Sequence, residues 1–130
     1  MNCHTIPIRV RYVECDPMGV VHHATYPIWF EMARTESLRL SGVSYAELEA
    51  AGTLIVVVKL EVKYRRPAKY DDELTVTATC TRAAGVRIEH DYEIRRGDEL
   101  LVTGSTVLAC VDRTGKVVGV PEMLQHDPAD

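Results

Sequence analysis

The stretch that decides the fold lies near the N-terminus, where residues 12–34 read YVECDPMGVVHHATYPIWFEMAR. Its acid, proline and glycine predict a turn around Asp16, because these residue types favour turn conformations. After the turn, the pattern predicts a helix over Tyr26–Leu40. Pro27 requires that this helix begin near His23–Thr25, since proline fits only the first helical turn. The sequence therefore predicts a turn that leads directly into the N-terminus of a long helix.

This arrangement predicts a site for acyl transfer. A helix N-terminus has unpaired backbone N–H groups and a partial positive charge, which suit negative charge that develops on an oxygen atom. Asp16, directly upstream, can act there as a nucleophile or as a general base. The alternative interpretation is an ordinary turn residue, because aspartate is common in turns.

The rest of the chain predicts mainly sheet. Alternation of apolar and polar residues predicts a meander of four consecutive antiparallel strands, at Leu54–Arg65, Leu74–Thr81, Val86–Ile94 and Leu100–Val111. Short breaks at Ala84-Gly85 and Gly97-Asp98 predict hairpin turns. Ile6–Val13 predicts a further strand, and Ser44–Ala51 predicts a second, short helix. We therefore expect an α+β fold with one long helix beside an antiparallel sheet of about five strands, in a single domain over residues 1–130.

Two blocks of the sequence resemble a known family. The first block matches at Tyr12, Asp16, Gly19, Val20, Val21, His23, Tyr26, Phe30, Glu31, Ala33, Arg34, Thr35 and Glu36. The second runs from Lys63 to Ala68 and continues at Tyr70, Asp71 and Asp72. On these residues the chain resembles the hotdog-fold thioesterases of the 4-hydroxybenzoyl-CoA thioesterase-like branch, most closely the Tol-Pal-associated acyl-CoA thioesterases. The resemblance implies a hotdog fold, in which the sheet wraps a long central helix.

The resemblance also implies an activity and roles for three residues. The activity is hydrolysis of an acyl-CoA to the free acid and CoA, without a cofactor. Asp16 matches the catalytic carboxylate, and the backbone N–H of His23 matches the donor that polarises the thioester carbonyl. Tyr12 and the His23 side chain match accessory positions of the catalytic site.

Positive charge concentrates in one segment of a chain whose net charge is −4, at Lys59, Lys63, Arg65, Arg66 and Lys69. Coenzyme A carries several phosphates, and arginine binds phosphate well in bidentate geometry. We therefore predict substrate binding by Lys63, Arg65 and Arg66, with Arg82 as a further candidate near the next turn. The other interpretation is a solvated strand face.

Several classes of function are disfavoured. No HExxH, CxxC or other metal-ligand spacing occurs, so we expect neither a metal nor an organic cofactor. The negative net charge disfavours a nucleic-acid partner. No apolar run has the length of a membrane span, and the N-terminus lacks the layout of a secretory signal, so the expected location is cytoplasmic.

Two rival functions and one local alternative stay open. The protein could be a non-catalytic hotdog module that binds acyl-CoA or an acyl carrier, although the presence of Asp16 favours an enzyme. A hotdog dehydratase would need a second pair of a histidine and an acid, which the sequence does not offer. On the helix, Glu31 is either solvated or paired with Arg34, three residues further on.

The sequence also predicts association with further copies of the chain. The run Leu54–Val58 is apolar on both faces of its predicted strand, which an exposed sheet edge would not tolerate. The resemblance implies a hotdog dimer as the smallest working unit, commonly paired again into a tetramer. We therefore expect a homodimer or homotetramer with its active site shared between chains.

Overall fold

The computed structural model describes residues 2–126. Its helices are α1 (Thr25–Leu40) and α2 (Tyr45–Ala50), and its strands are β1 (Asn2–Arg9), β2 (Leu54–Tyr64), β3 (Glu73–Ala84), β4 (Arg87–Arg96), β5 (Glu99–Val111) and β6 (Val117–Val118). The strands form one antiparallel sheet in the order β1-β3-β4-β5-β2, and the two-residue β6 pairs with β5. Helix α1 packs against β1 and β3. The expected α+β arrangement of a long helix on an antiparallel sheet is confirmed, with six strands where about five were expected.

The helices have the bounds that the sequence predicts. Helix α1 begins at Thr25, so Pro27 lies in its first turn, where its missing N–H costs no helical hydrogen bond. Gly42 follows the end of α1 with φ +94°, a left-handed conformation that glycine adopts without strain. Helix α2 begins where the Ser44 side chain accepts a hydrogen bond from the backbone N–H of Glu47. Both helices are therefore determined by local signals.

The predicted four-stranded meander is wrong at its first connection. Strands β3, β4 and β5 follow one another through the predicted hairpins, but β2 pairs with β5 and not with β3. The chain leaves β2 and passes the start of α1, where the Val21 backbone N–H donates to the Ala68 carbonyl at 2.9 Å. It thereby crosses from one edge of the sheet to the strand beside the opposite edge. An alternating pattern shows which face of a strand is apolar, but not which strand lies beside it.

The first strand lies earlier than the predicted Ile6–Val13. Strand β1 ends at Arg9, and Tyr12–Glu14 form a single 3₁₀ turn. The side chain of Glu14 accepts the backbone N–H of Arg11 at 2.7 Å, which satisfies that donor outside the sheet. The chain therefore turns away from β3 before Val13, and the end of the predicted strand is wrong.

The main core lies between α1 and the sheet. The inward side chains of β3 and β4 are buried in the predicted alternation, at Leu74, Val76, Ala78, Cys80, Ile88, His90, Tyr92 and Ile94. Phe30 of α1 is fully buried, and its ring stacks on that of Tyr92 with a centroid distance of 4.4 Å. Gly104 of β5 faces the same ring, and a Cβ added there would lie 2.7 Å from Phe30 Cζ. The close approach of helix and sheet therefore requires the absence of a side chain at Gly104.

We predict that Gly104→Ala destabilises the protein by about 1–3 kcal/mol, the usual cost of overpacking a core. Gly119→Ala is the matched control, because a Cβ there would approach no atom closer than 3.7 Å. Denaturant unfolding of both variants measures the two losses. Equal free energies of unfolding for the two variants would contradict the proposed steric requirement.

Strand β2 exposes apolar side chains at one edge of the sheet. The sequence predicts an apolar buried face over Leu54–Arg65, and burial of Ile55 and Val57 as well. In the single chain this is wrong: Val57 is 53% exposed and Val58 is 59% exposed, and only Leu54, Ile55 and Val62 are half-buried. The edge position of β2 leaves these side chains without an intramolecular neighbour on one side.

A buried polar network crosses the second half of α1. Arg34 is 8% exposed and donates to the hydroxyls of Tyr92 at 2.9 Å and Tyr45 at 3.2 Å. The Tyr92 hydroxyl lies 2.6 Å from that of Thr106. Among residues 2–126 no carboxylate lies within ion-pair distance of Arg34, and Glu31 is exposed. The alternative in which Glu31 pairs with Arg34 is therefore wrong, and the solvated alternative agrees with the structure.

His90 lies beside this network and gives the stability a pH dependence. Burial, and secondarily the positive charge of Arg34, lower the pKa of His90 from 6.5 to about 3. Between these two values the unfolded chain binds a proton that the folded chain does not. The stability contributed by neutral His90 is therefore complete above about pH 6.5 and decreases as the pH falls below it.

At pH 5 the loss attributable to His90 alone is about 2 kcal/mol, relative to pH 7.5. We predict that His90→Gln removes this part of the pH dependence, whatever its effect on stability at neutral pH. Denaturant unfolding at pH 7.5 and pH 5 gives the change in the free energy of unfolding between these pH values for the wild type and for the variant, and the two changes are compared. The same loss of stability between the two pH values in both proteins would contradict a depressed pKa at His90.

Candidate active site

Asp16 begins a tight five-residue turn. Its backbone N–H donates to the Val20 carbonyl at 2.8 Å, and its carbonyl accepts the Gly19 N–H at 2.9 Å. Oxygen Oδ1 of the Asp16 side chain accepts the Met18 backbone N–H at 2.9 Å. Within residues 2–126, Oδ2 has no hydrogen-bond partner, and the side chain is half-buried. One carboxylate oxygen therefore holds the turn while the other remains available.

The chain contains a second turn of the same construction. The Asp112 backbone N–H donates to the Lys116 carbonyl at 2.8 Å, and the Gly115 N–H donates to the Asp112 carbonyl at 2.9 Å. Oxygen Oδ1 of Asp112 accepts the backbone N–H groups of Thr114 and Lys116 at 2.9 and 3.0 Å. The hydrogen bonds of the Asp16 turn are thus not by themselves a sign of catalysis. What distinguishes Asp16 is the helix N-terminus that follows it.

Glu14 anchors this turn to α1. Its buried carboxylate accepts the indole N–H of Trp29 at 3.1 Å, and its carbonyl accepts the His22 N–H at 2.8 Å. Burial raises the pKa of Glu14, but hydrogen bonds from Arg11 and Trp29 outweigh it and hold the pKa below its usual value. The charged carboxylate therefore connects the segments on both sides of Asp16. Sequence reasoning missed this role, because arginine at position 11 is not one of the N-cap residue types that would signal a capping box with Glu14.

His23 lies in the last residues before α1 and presents its backbone N–H. Within the described residues 2–126, that N–H has no acceptor, whereas the neighbouring Ala24 and Thr25 N–H groups both bond to His22. The His23 carbonyl accepts the Tyr64 hydroxyl at 3.0 Å. Its imidazole stacks on that of His22 at 4.2 Å. An oxygen atom of a ligand can therefore accept a hydrogen bond from His23 at the N-terminus of α1.

A cleft of about 210 Å³ opens beside this N–H, and we call it the His23 cleft; it is lined by Val21, His23, Tyr26, Tyr64, Arg65, Arg66 and Pro67. Its floor is Tyr26, whose hydroxyl accepts the Ala68 backbone N–H at 3.3 Å and whose ring lies edge-on to Tyr64 at 5.6 Å. Burial raises the pKa of Tyr26, so its hydroxyl stays protonated. The contribution of Tyr64 was also missed, because only the tertiary fold brings the end of β2 to His23.

The predicted substrate-binding residues separate into three places. Arg65 and Arg66 line the His23 cleft, and Arg66 also pairs with Glu99 at 2.9 Å. Lys63 lies in a neighbouring depression that Arg65 also lines and that contains three carboxylates, those of Glu61, Asp91 and Glu93. Arg82 lies near the opposite end of β3, nine residues and roughly 30 Å of strand beyond Glu73. Within one chain, only Arg65 and Arg66 therefore come together with His23.

Tyr12 lies on the surface near the turn. It is 79% exposed, and its ring makes an edge contact with that of Tyr70 at 5.6 Å. Within residues 2–126 its hydroxyl has no hydrogen-bond partner, and it does not bond to Asp16. Its accessory role stays a prediction.

Neither a metal cluster nor a membrane helix emerges from the described part of the chain. Among residues 2–126, no three histidine, cysteine, aspartate or glutamate side chains are grouped so that they could hold a metal ion. No helix in the same range is long and apolar enough to cross a membrane.

The long helix against one antiparallel sheet, with an acidic turn at the helix N-terminus, defines a protein of the hotdog class. The chain belongs to the thioesterase-like superfamily, whose family model matches residues 10–127. The family and fold that residues 12–36 predict are thereby confirmed.

Individual relatives agree with this assignment. The acyl-CoA thioester hydrolase YbgC of Escherichia coli O157:H7 is 37% identical over 107 residues, which are 82% of this chain and 80% of that protein. The acyl-CoA thioesterase YbgC of Haemophilus influenzae is 37% identical over 112 residues, 85% of this chain and 82% of that protein. The crystal structure of a DHNA-CoA thioesterase from Staphylococcus aureus superposes with a TM-score of 0.86 at 34% identity, over 90% of this chain and 80% of that one.

Proposed function

We propose that the protein hydrolyses acyl-CoA thioesters to a free acid and CoA, with Asp16 as the catalytic carboxylate and the His23 backbone N–H as the oxyanion donor. The observation that carries the proposal is the unpaired His23 N–H at the start of α1, which lies a few residues after a carboxylate with a free oxygen. The names of the 37%-identical relatives support the substrate class. We also propose that the protein acts in the cytosol.

In the proposed reaction, the thioester carbonyl oxygen accepts the His23 N–H. Negative charge on that oxygen grows as the tetrahedral intermediate forms, and the N–H and the partial positive charge of the helix N-terminus stabilise it. Asp16 either attacks the carbonyl carbon or removes a proton from the water that attacks it. The C–S bond then breaks and CoA leaves as the thiolate. In the general-base route the thiolate takes the proton held by Asp16, and in the nucleophilic route it takes one from solvent while water hydrolyses the acyl-Asp16 anhydride. Both routes consume one water molecule and yield the same acid, and both need Oδ2 of Asp16 free.

The pantetheine and nucleotide of CoA are proposed to leave the His23 cleft past Arg65 and Arg66. These two side chains are exposed at the end of β2, next to the residues that line the cleft. Guanidinium groups in this position suit the CoA phosphates. Lys63 shares a depression with Arg65 outside the cleft, whereas Arg82 lies far from both arginines, so a contribution of Arg82 would require a neighbouring subunit.

We predict that Asp16→Asn lowers kcat/KM for acyl-CoA hydrolysis by at least about 100-fold. Asparagine can keep the side-chain hydrogen bond of the turn, so the loss would reflect chemistry and not folding. Asp112→Asn is the matched control, because it changes the same atom in a turn of the same construction. It should alter kcat/KM by less than about twofold.

The assay follows free thiol released from a panel of aliphatic and aromatic acyl-CoAs. Asp16→Asn with more than about a tenth of wild-type kcat/KM would refute the catalytic assignment. The similarity of the two turns favours one other function, a module that binds acyl-CoA and uses Asp16 only as a turn residue. Binding of acyl-CoA without release of thiol by the wild-type protein would establish that alternative.

We also propose that the working unit is a homodimer or homotetramer with a shared site. The support is the edge strand β2, whose exposed valines at 57 and 58 continue towards Tyr64 and the two arginines at the cleft. Pairing this edge with a second copy would remove its apolar side chains from water. It would also bring further side chains of the second chain towards the His23 cleft.

We predict that light scattering gives a multiple of the 14.5 kDa chain mass, and that Val58→Lys shifts it towards one chain and lowers turnover in parallel. Val117→Lys, at an equally exposed valine of β6, is the control and should change neither property. A wild-type monomer with full turnover would overturn the proposal.

A further inference from the structure

A second cavity lies at the other half of α1, and we call it the Arg34 cavity. It has a volume of about 300 Å³ and lies between α1, strands β3 and β4, and residues 123–126. Residues 123–126 are held in place by two backbone hydrogen bonds between Ala83 and His126. Arg34 is nine residues after the start of α1, which corresponds to roughly 14 Å along the helix. The cavity is therefore separate from the His23 cleft.

Within residues 2–126, the cavity contains a buried cation without a counter-ion. Arg34 is 8% exposed, and its partners are the neutral hydroxyls of Tyr45 and Tyr92. Neither bond uses nitrogen Nη2. No aspartate or glutamate occurs among the described residues that line the cavity. A buried guanidinium without an anion is costly, because its desolvation is compensated only by neutral partners.

His90 supplies a second group without a partner. Its ring lines the cavity and is 7% exposed, and its buried Nδ1 atom has no hydrogen-bond partner in the described part of the chain. Buried polar atoms in folded proteins are nearly always hydrogen-bonded, so this exception needs an explanation. The ring is neutral at physiological pH and carries one N–H. In the tautomer that carries this N–H on Nδ1, the unpaired nitrogen can donate a hydrogen bond to a ligand bound at Arg34.

The remaining wall of the cavity has a polar part, with Ser37, Ser41, Gln125 and His126, and an apolar part. Leu38 on α1, Ile55 on β2 and Ile88 on β4 line it, together with Met123 and Leu124 from the C-terminal segment. Its volume suits a ligand of about ten non-hydrogen atoms, at roughly 30 Å³ for each water-sized group. The cavity thus combines the positive charge of Arg34 with an apolar patch on one part of its wall.

From this combination we infer that the Arg34 cavity binds a small monocarboxylic acid, with its carboxylate on Arg34 and His90 and its hydrocarbon part on the apolar wall. One guanidinium balances the charge of one carboxylate, and two of its N–H groups can donate to the two carboxylate oxygens. A phosphate monoester carries nearly two charges at neutral pH, and the described lining, which also includes His126, has no second arginine or lysine to balance them. The inference does not use Asp16, so it stands independently of the proposed hydrolysis.

Calorimetric titration with octanoate tests the inference, with octanol and octyl phosphate as ligands of equal chain length. We expect one octanoate per chain, bound at least about tenfold more tightly than either of the others. Arg34→Met should weaken octanoate binding by at least about tenfold, while Arg39→Met, at an exposed arginine of the same helix, should leave it unchanged.

Because Arg34→Met removes two buried hydrogen bonds and can fail to fold, a second variant fills the cavity instead. Ser37 lines the cavity from α1, and Ser37→Leu occupies its volume while the bonds of Arg34 remain. It should also abolish octanoate binding. Binding that survives Ser37→Leu, or that octanol or octyl phosphate equals, would overturn the inference. Loss of octanoate binding in Asp16→Asn would also overturn the inference, because the acid would then bind in the His23 cleft. That outcome would leave the proposed hydrolysis unaffected.

Discussion

The close packing of α1 on the sheet is the constraint on which the rest of the structure depends. Phe30 is fully buried against Tyr92, and it fits only because Gly104 has no side chain. This contact fixes the middle of the helix, so that both of its halves are held at defined positions relative to the sheet. The two candidate ligand sites lie on either side of it, at the N-terminus of α1 and beside Arg34.

Each half of the helix is attached by a buried charged side chain, but the two side chains differ in the hydrogen-bond partners that their charge has. Glu14 is charged and fully hydrogen-bonded, since Arg11 and Trp29 both donate to it. It therefore acts as a rigid support for the turn at Asp16. Among residues 2–126, Arg34 donates only to neutral hydroxyls, and it lies beside a cavity. A satisfied buried charge stabilises a fold, whereas an incompletely satisfied one is what a binding site for the opposite charge requires.

The candidate site could be predicted in part, because its central features are local in sequence. The turn at Asp16 and the helix start that leaves the His23 N–H unpaired follow from a few adjacent residues, and both are present. The walls of the cleft could not be predicted in the same way. Tyr64 reaches His23 only because β2 lies at the edge of the sheet beside β5. The crossing from β2 to β3 then separates Arg65 from Arg82.

The sequence by itself determined the local structure: the bounds of α1, the two hairpins after β3 and β4, and the alternation of buried residues on those strands. These features depend on capping, turn and side-chain preferences that act over a few residues. Only the tertiary structure decided that β2 pairs with β5, that its valines lie at an edge, and that Arg34 is buried without an acid from residues 2–126 beside it. Each of these depends on which distant segments share one core, and a one-dimensional pattern does not specify that choice because many strand orders bury the same apolar faces.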